Sequence, residues 1–183
     1  MKMKKEVRLY NVIFPWWLLP AVGVFFSPLT GIGLIALVAL VDWAFDTLVL
    51  WLSMKKRGIQ RRKEVYKAVW WKIWLIGFAA DFVGVVFMTA VSTLLSYGYS
   101  LQTPLGKFLG NSGNGIMYNA FRSPLSLLVV LIAVAIAGVI IYFADERVLS
   151  SAKGLKFREA GKIARSLAII TAPWTFFIPT FWF

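Results

Sequence analysis

Three aspartates, Asp42, Asp46 and Asp81, lie inside long apolar stretches of a chain that has no histidine and no cysteine. One aspartate at the centre of a membrane-inserted helix costs about 2.5–3.5 kcal/mol, so three of them demand a compensating partner or a function. Carboxylates in that setting can take up a proton, a metal ion, sodium or a cationic substrate. The missing residue types exclude disulfides, thiolate nucleophiles, Cys or His zinc sites, His-ligated haem and Ser-His-Asp catalysis. No glycine-rich phosphate loop, dinucleotide fingerprint or serine elbow is present, so no catalytic residue and no cofactor is assigned, and a bound cation remains open.

Spacing sharpens the expectation. Asp42 precedes Asp46 by one helical turn, and Gly77, Asp81, Gly84 and Met88 recur on one stripe of the following apolar stretch. Asp46 lies nine residues before Lys55 and Asp81 nine after Lys72, so each stands roughly 13 Å from its nearest lysine along a helix. The three acids are therefore expected to meet between two consecutive antiparallel helices. Small residues on the stripe would permit close approach there. Trp43, Trp74, Gly77, Gly84 and Trp174 are the candidate lining of the resulting pocket. No lysine or arginine falls at that depth in any apolar stretch. The other five acids, Glu6, Glu64, Asp145, Glu146 and Glu159, sit beside cations and read as their solvated partners.

The elements that must position these residues follow from composition. Of 183 residues, 60% are hydrophobic, against the 45–50% of ordinary soluble domains, and mean hydropathy is +0.74. Apolar blocks occupy about 11–26, 32–52, 69–97, 124–144 and 163–182, with an uncharged Gly/Asn/Ser-rich connection at 98–123 expected as an outer loop. The expected fold is an all-α polytopic integral membrane protein of about five transmembrane helices in one domain, 1–183. Pro173 should bend the fifth span and free a carbonyl near Ile169.

Charge sets the expected direction. Four of the 20 Lys and Arg lie in residues 1–10, eight in 55–72 and six in 145–165, and with five alternating spans all 18 share one side. That side is cytoplasmic by the positive-inside rule, which puts the N-terminus inside. Chain size and the lack of organelle targeting signals suggest a prokaryotic cytoplasmic membrane. The net charge of +12 then faces anionic lipid headgroups rather than nucleic acid.

Three functions fit these features. The first is binding or transport of a cation, a proton or a cationic substrate at Asp42, Asp46 and Asp81. The second is a non-catalytic membrane subunit, a homo-oligomer or a partner of another membrane protein, docking through the small residues of the third and fourth spans, among them Ala133, Ala137 and Gly138. The third is a magnesium-dependent lipid enzyme in which the Asp42-x-x-x-Asp46 pair grips the metal. Enzyme activity ranks below the other two, because the second acidic cluster and the phosphate-binding cations that such an enzyme needs are missing.

Overall fold

The computed structural model describes residues 28–179, and the apolar stretch at 11–26 lies outside the described residues. All regular structure among them is helical: α1 Pro28–Lys56, α2 Arg62–Ser96 continued by a 3-10 turn Tyr97–Leu101, α3 Pro104–Tyr118, a 3-10 turn Ala120–Arg122, α4 Pro124–Ser150, α5 Phe157–Ile170 and a 3-10 turn Trp174–Phe177. Three segments are long and apolar enough to cross a membrane: Ala36–Lys56, Arg62–Leu101 and Pro124–Ser150. Leu40, Phe82, Leu94 and Phe143 are each at least 60% exposed on their outer faces, a surface suited to lipid.

Local chemistry sets the helix ends. α1 closes with a Schellman motif: the Ile59 amide donates to the Met54 carbonyl and the Gly58 amide to that of Lys55, both at 3.1 Å. Gly58 sits at φ +66°, the left-handed conformation that this motif requires and that glycine adopts without steric cost. Ser123 caps α4 by accepting from the Ser126 amide at 3.0 Å, with Pro124 at the first helical position, and Thr103 and Pro104 repeat the arrangement at α3. The Lys156 amide at the start of α5 donates to the Glu159 carboxylate at 3.2 Å, so Glu159 serves as a cap rather than only as a surface counter-charge.

The α1–α2 and α4–α5 turns share one end of the bundle. A Cβ on Gly154 would stand 3.6 Å from Arg61 Cδ, and Arg57 donates to the Lys162 carbonyl at 2.7 Å and to Ser166 Oγ at 3.2 Å. Both basic connections are thus gathered at one end. The core has two parts. Toward the basic end, Leu50, Met54, Val65, Val69, Ile141, Leu149, Ile163 and Leu167 pack together, and toward the opposite end Met88, Ile116, Val130, Ala133 and Phe176 do so.

Two expectations about the elements are corrected. The connection 98–123 is no loop: it folds into α3, which packs on the end of α2. Its glycines allow this approach, since a Cβ on Gly113 would stand 2.8 Å from the Ser92 carbonyl oxygen, and Ser92 Oγ donates to the Gly113 carbonyl at 2.8 Å. Ser112, Ser123 and Ser126 join α3 to α4 through hydroxyl bonds of 2.8 Å. The stretch 163–182 is no single span either. α5 has 14 residues, about 21 Å, short of the ~30 Å hydrocarbon core, and ends three residues before Pro173. Proline has no N–H to give to the Ile169 carbonyl, and its ring crowds that turn.

Candidate functional site

Asp46 projects from α1 toward α2 and the segment after α5. It is 5% exposed, and a Cβ on Gly77 would stand 3.2 Å from its Oδ2, so an added methyl there would make the carboxylate give way by a few tenths of an ångström. Thr171, just beyond α5, lies beside its carboxylate. The Thr171 hydroxyl has one proton and two acceptors in reach, this carboxylate and the Leu167 carbonyl at 3.0 Å. Asp42, one turn along α1, and Asp81 on α2 are half-buried, and each has one oxygen, Oδ2 and Oδ1 respectively, enclosed without a hydrogen-bond partner.

A fourth acid belongs with them. Asp145 is 0% exposed and neither of its oxygens has a hydrogen-bond partner. Reading it as the solvated partner of Arg147 fails on helix geometry, because residues two apart lie on nearly opposite sides of a helix. Arg147 is exposed while Asp145 continues the buried stripe Ala133, Ala137, Ile141, Leu149 at steps of about four. That stripe is the signal in the sequence that identifies it.

The four carboxylates form a string rather than a cage. Asp42, Asp46 and Asp81 interact electrostatically with one another, and Asp46 alone of the three reaches Asp145. Asp46 is level with Gly77 of α2. A Cβ on Gly84 would stand 3.6 Å from the Ala133 carbonyl oxygen, so Asp145, twelve residues further along antiparallel α4, comes level with Lys72. From Asp81 to that level is nine residues of α2, or roughly 13 Å along the bundle. Among the described residues no group of three or more acidic side chains is placed to hold a metal ion.

No base cancels these charges. The single ion pair among the described residues is Arg61 with Glu64 at 3.7 Å, both exposed. Lys72, at the depth of Asp145, turns its ammonium over the Trp71 ring at 5.6 Å, and Arg57 donates to Ser53, Lys162 and Ser166.

The expected pocket lining is mostly placed elsewhere. Gly77 does border Asp46. Gly84 instead receives Phe176, whose Cε2 would be 2.9 Å from an added Cβ. Trp43 packs edge-on against Trp70, and Trp74 packs against Phe78 while donating to the Ala39 carbonyl at 3.2 Å, so both belong to an aromatic column that ties α1 to α2. Trp174 donates to the Ile169 carbonyl at 2.8 Å, which occupies the carbonyl that the proline was expected to free for an ion. The anticipated tight α1–α2 hairpin is also looser than expected: α2 packs most extensively on α4, and α1 divides its contacts between α2 and α5. Ala133 and Ala137 are fully buried within the chain, whereas Gly138 of the same small-residue set is half-buried.

Comparison with protein-family models, curated proteins and solved structures finds no match for this chain.

Proposed function

We propose that the protein is a multi-pass membrane protein that passes protons, or a single small cation, along Asp81, Asp42, Asp46 and Asp145. The observation that carries this reading is Asp145, wholly enclosed, with both oxygens unpartnered, at the end of a string of acids that contains no base. A lone ionised carboxylate in an apolar core costs several kcal/mol, so such a group must hold a proton or meet a cation while it stays there. A structural carboxylate would normally be clasped by hydroxyls, amides or an arginine. A string without three convergent ligands favours single protons or monovalent ions over a magnesium centre. This argues against the lipid-enzyme reading of the Asp42–Asp46 pair.

The basic end of the bundle, with the Lys and Arg of both turns, faces the cytoplasm in this proposal. Asp145 would then be the member nearest the cytoplasm, and Asp42 and Asp81, level with each other on antiparallel α1 and α2, the members nearest the far side, with water bridging the gaps between them.

The test is flux in proteoliposomes. Purified protein is reconstituted around a trapped pH dye, a pH gradient is imposed, and the potential is clamped with potassium and valinomycin. Wild-type protein dissipates the gradient, whereas Asp46→Asn and Asp145→Asn should each bring the rate down to that of protein-free vesicles. Undiminished flux in both variants, or no flux in wild type across proton and sodium gradients, refutes the proposal and leaves the acids with a structural role.

A further inference from the structure

A groove of about 690 Å³ runs between α4 and α5 on the flank of the bundle, within the size range of small-molecule sites. It is distinct from the acidic string. Leu131 and Trp174 line one end, Ala135 and Gly138 its middle, and Tyr142 and Arg165 the end nearer the basic turns. Helix pairing fixes this direction: a Cβ on Gly138 would lie 3.3 Å from the Ala168 carbonyl oxygen, so Arg165, one turn back along antiparallel α5, comes level with Tyr142.

Length and charge together select an occupant. Eleven residues of α4 separate Leu131 from Tyr142, roughly 16 Å, which matches half of the ~30 Å hydrocarbon core, or one leaflet. A single apolar chain entering at the headgroup level would end beside Trp174. At the mouth, Arg158, Lys162 and Arg165 recur at i, i+4 and i+7 on one exposed face of α5. Glu146 stands at the same end between α4 and α5, its carboxylate accepting from the Tyr142 hydroxyl at 3.3 Å and 2.6 Å from where a Cβ on Gly161 would be, and the three cations outnumber it. Arginine suits a phosphodiester because its planar fork offers paired donors to two oxygens.

We propose that this groove is a site for one anionic phospholipid, with an acyl chain between α4 and α5 and its phosphate on Arg165. Insertion in a bilayer is assumed, and proton passage is not. The proposal thus stands or falls apart from the flux reading.

Native mass spectrometry of the full chain in detergent tests it, with phosphatidylglycerol and phosphatidylcholine of matched acyl chains as the probes. Wild type should hold one phosphatidylglycerol more tightly than phosphatidylcholine. Arg165→Gln should weaken phosphatidylglycerol binding about fivefold, the factor equivalent to the ~1 kcal/mol that one cation near a headgroup contributes, and leave phosphatidylcholine unchanged. Ala135→Trp fills the groove and should abolish retention of both, while glycerol phosphate alone should not compete. Circular dichroism and an unchanged thermal midpoint show that each variant is folded. Equal binding of the two lipids, or no effect of either substitution, overturns the site. So does a disulfide between cysteines placed at Ala135 and within 11–26, which would mean that the chain's own apolar segment fills the groove. The natural chain has no cysteine to confuse that measurement.

Discussion

Replacing Asp145 by leucine should make this protein more stable and leave it unable to pass protons. Leucine has the same number of side-chain heavy atoms and the same branch point, so it exchanges two oxygens on a planar carbon for two larger methyls on a tetrahedral one. Asp145 is 0% exposed among Ile141, Leu149, Ile163 and Leu167, and both oxygens lack partners. Each enclosed, unpaired polar atom costs about 1–3 kcal/mol. Methyls are larger than oxygens, and crowding returns about 1–3 kcal/mol of that gain. The net stabilisation is about 1–3 kcal/mol, in line with other replacements of buried charge by apolar groups. For a chain of this length each kcal/mol moves the thermal midpoint by about 2–4 °C, giving a rise of about 2–12 °C. Intrinsic fluorescence from the nine tryptophans reports unfolding in detergent, and the flux assay is run on the same preparation. A lower midpoint in the leucine variant would mean that Asp145 holds a stabilising partner in the folded protein. The case for a functional carboxylate at that position would then fail.

Three further substitutions probe how the string is held. Gly77→Ala brings a Cβ within 3.2 Å of Asp46 Oδ2, a contact the side chain can relieve, and alanine is about 1 kcal/mol the better helix former, so stability should change by less than about 1 kcal/mol. Gly77→Leu should instead displace Asp46 and lower flux, and thermal unfolding and the vesicle assay separate the two outcomes. Gly84→Ala drives a Cβ to 2.9 Å from the Phe176 ring and should cost about 1–3 kcal/mol. A double-mutant cycle with Phe176→Leu should recover much of that loss if the ring is the obstacle. Arg57→Gln removes bonds to the Ser53 and Lys162 carbonyls and to Ser166 that join the α1–α2 turn to α5, and a loss of about 1–2 kcal/mol should appear as faster amide exchange in α5.

What the residues disclosed depended on whether a local rule or a tertiary contact decided the outcome. The block near 124–144 is legible because serine, proline and an unbroken apolar run mark the start of a helix without help from its neighbours. Pro173 was legible only as a bend inside a fifth span, and the fold alone shows that α5 stops at Ile170 and that the Trp174 indole takes the Ile169 carbonyl. α3 could not be read from propensity. Its glycines, asparagines and serine are poor helix formers, and it forms because those small residues let it lie against α2, gaining packing that an isolated 15-residue segment would lack. Asp42, Asp46 and Asp81 stood out because apolar residues surround them in sequence. Asp145 was hidden by charged neighbours, Glu146 and Arg147, which point elsewhere in space. Depth in a folded helix depends on its face, and counting charges along a chain does not resolve faces.

The seating of α3 on the end of α2 reverses the usual expectation for where this chain can vary. A Cβ on Gly98 would lie 2.8 Å from Leu109, one on Gly110 would enter the Tyr99 ring, and one on Gly115 would collide with Ser126. A segment whose composition looks like a dispensable polar connection is therefore the part least able to accept a larger residue. The bulky side chains of α1 and α2 that face outward, Leu40 and Phe82 among them, are by contrast free to exchange with other apolar types. Related chains, aligned, should keep the glycines of 98–115 nearly fixed while their outward-facing leucines and phenylalanines drift. Random mutagenesis scored for folded protein should give the same map.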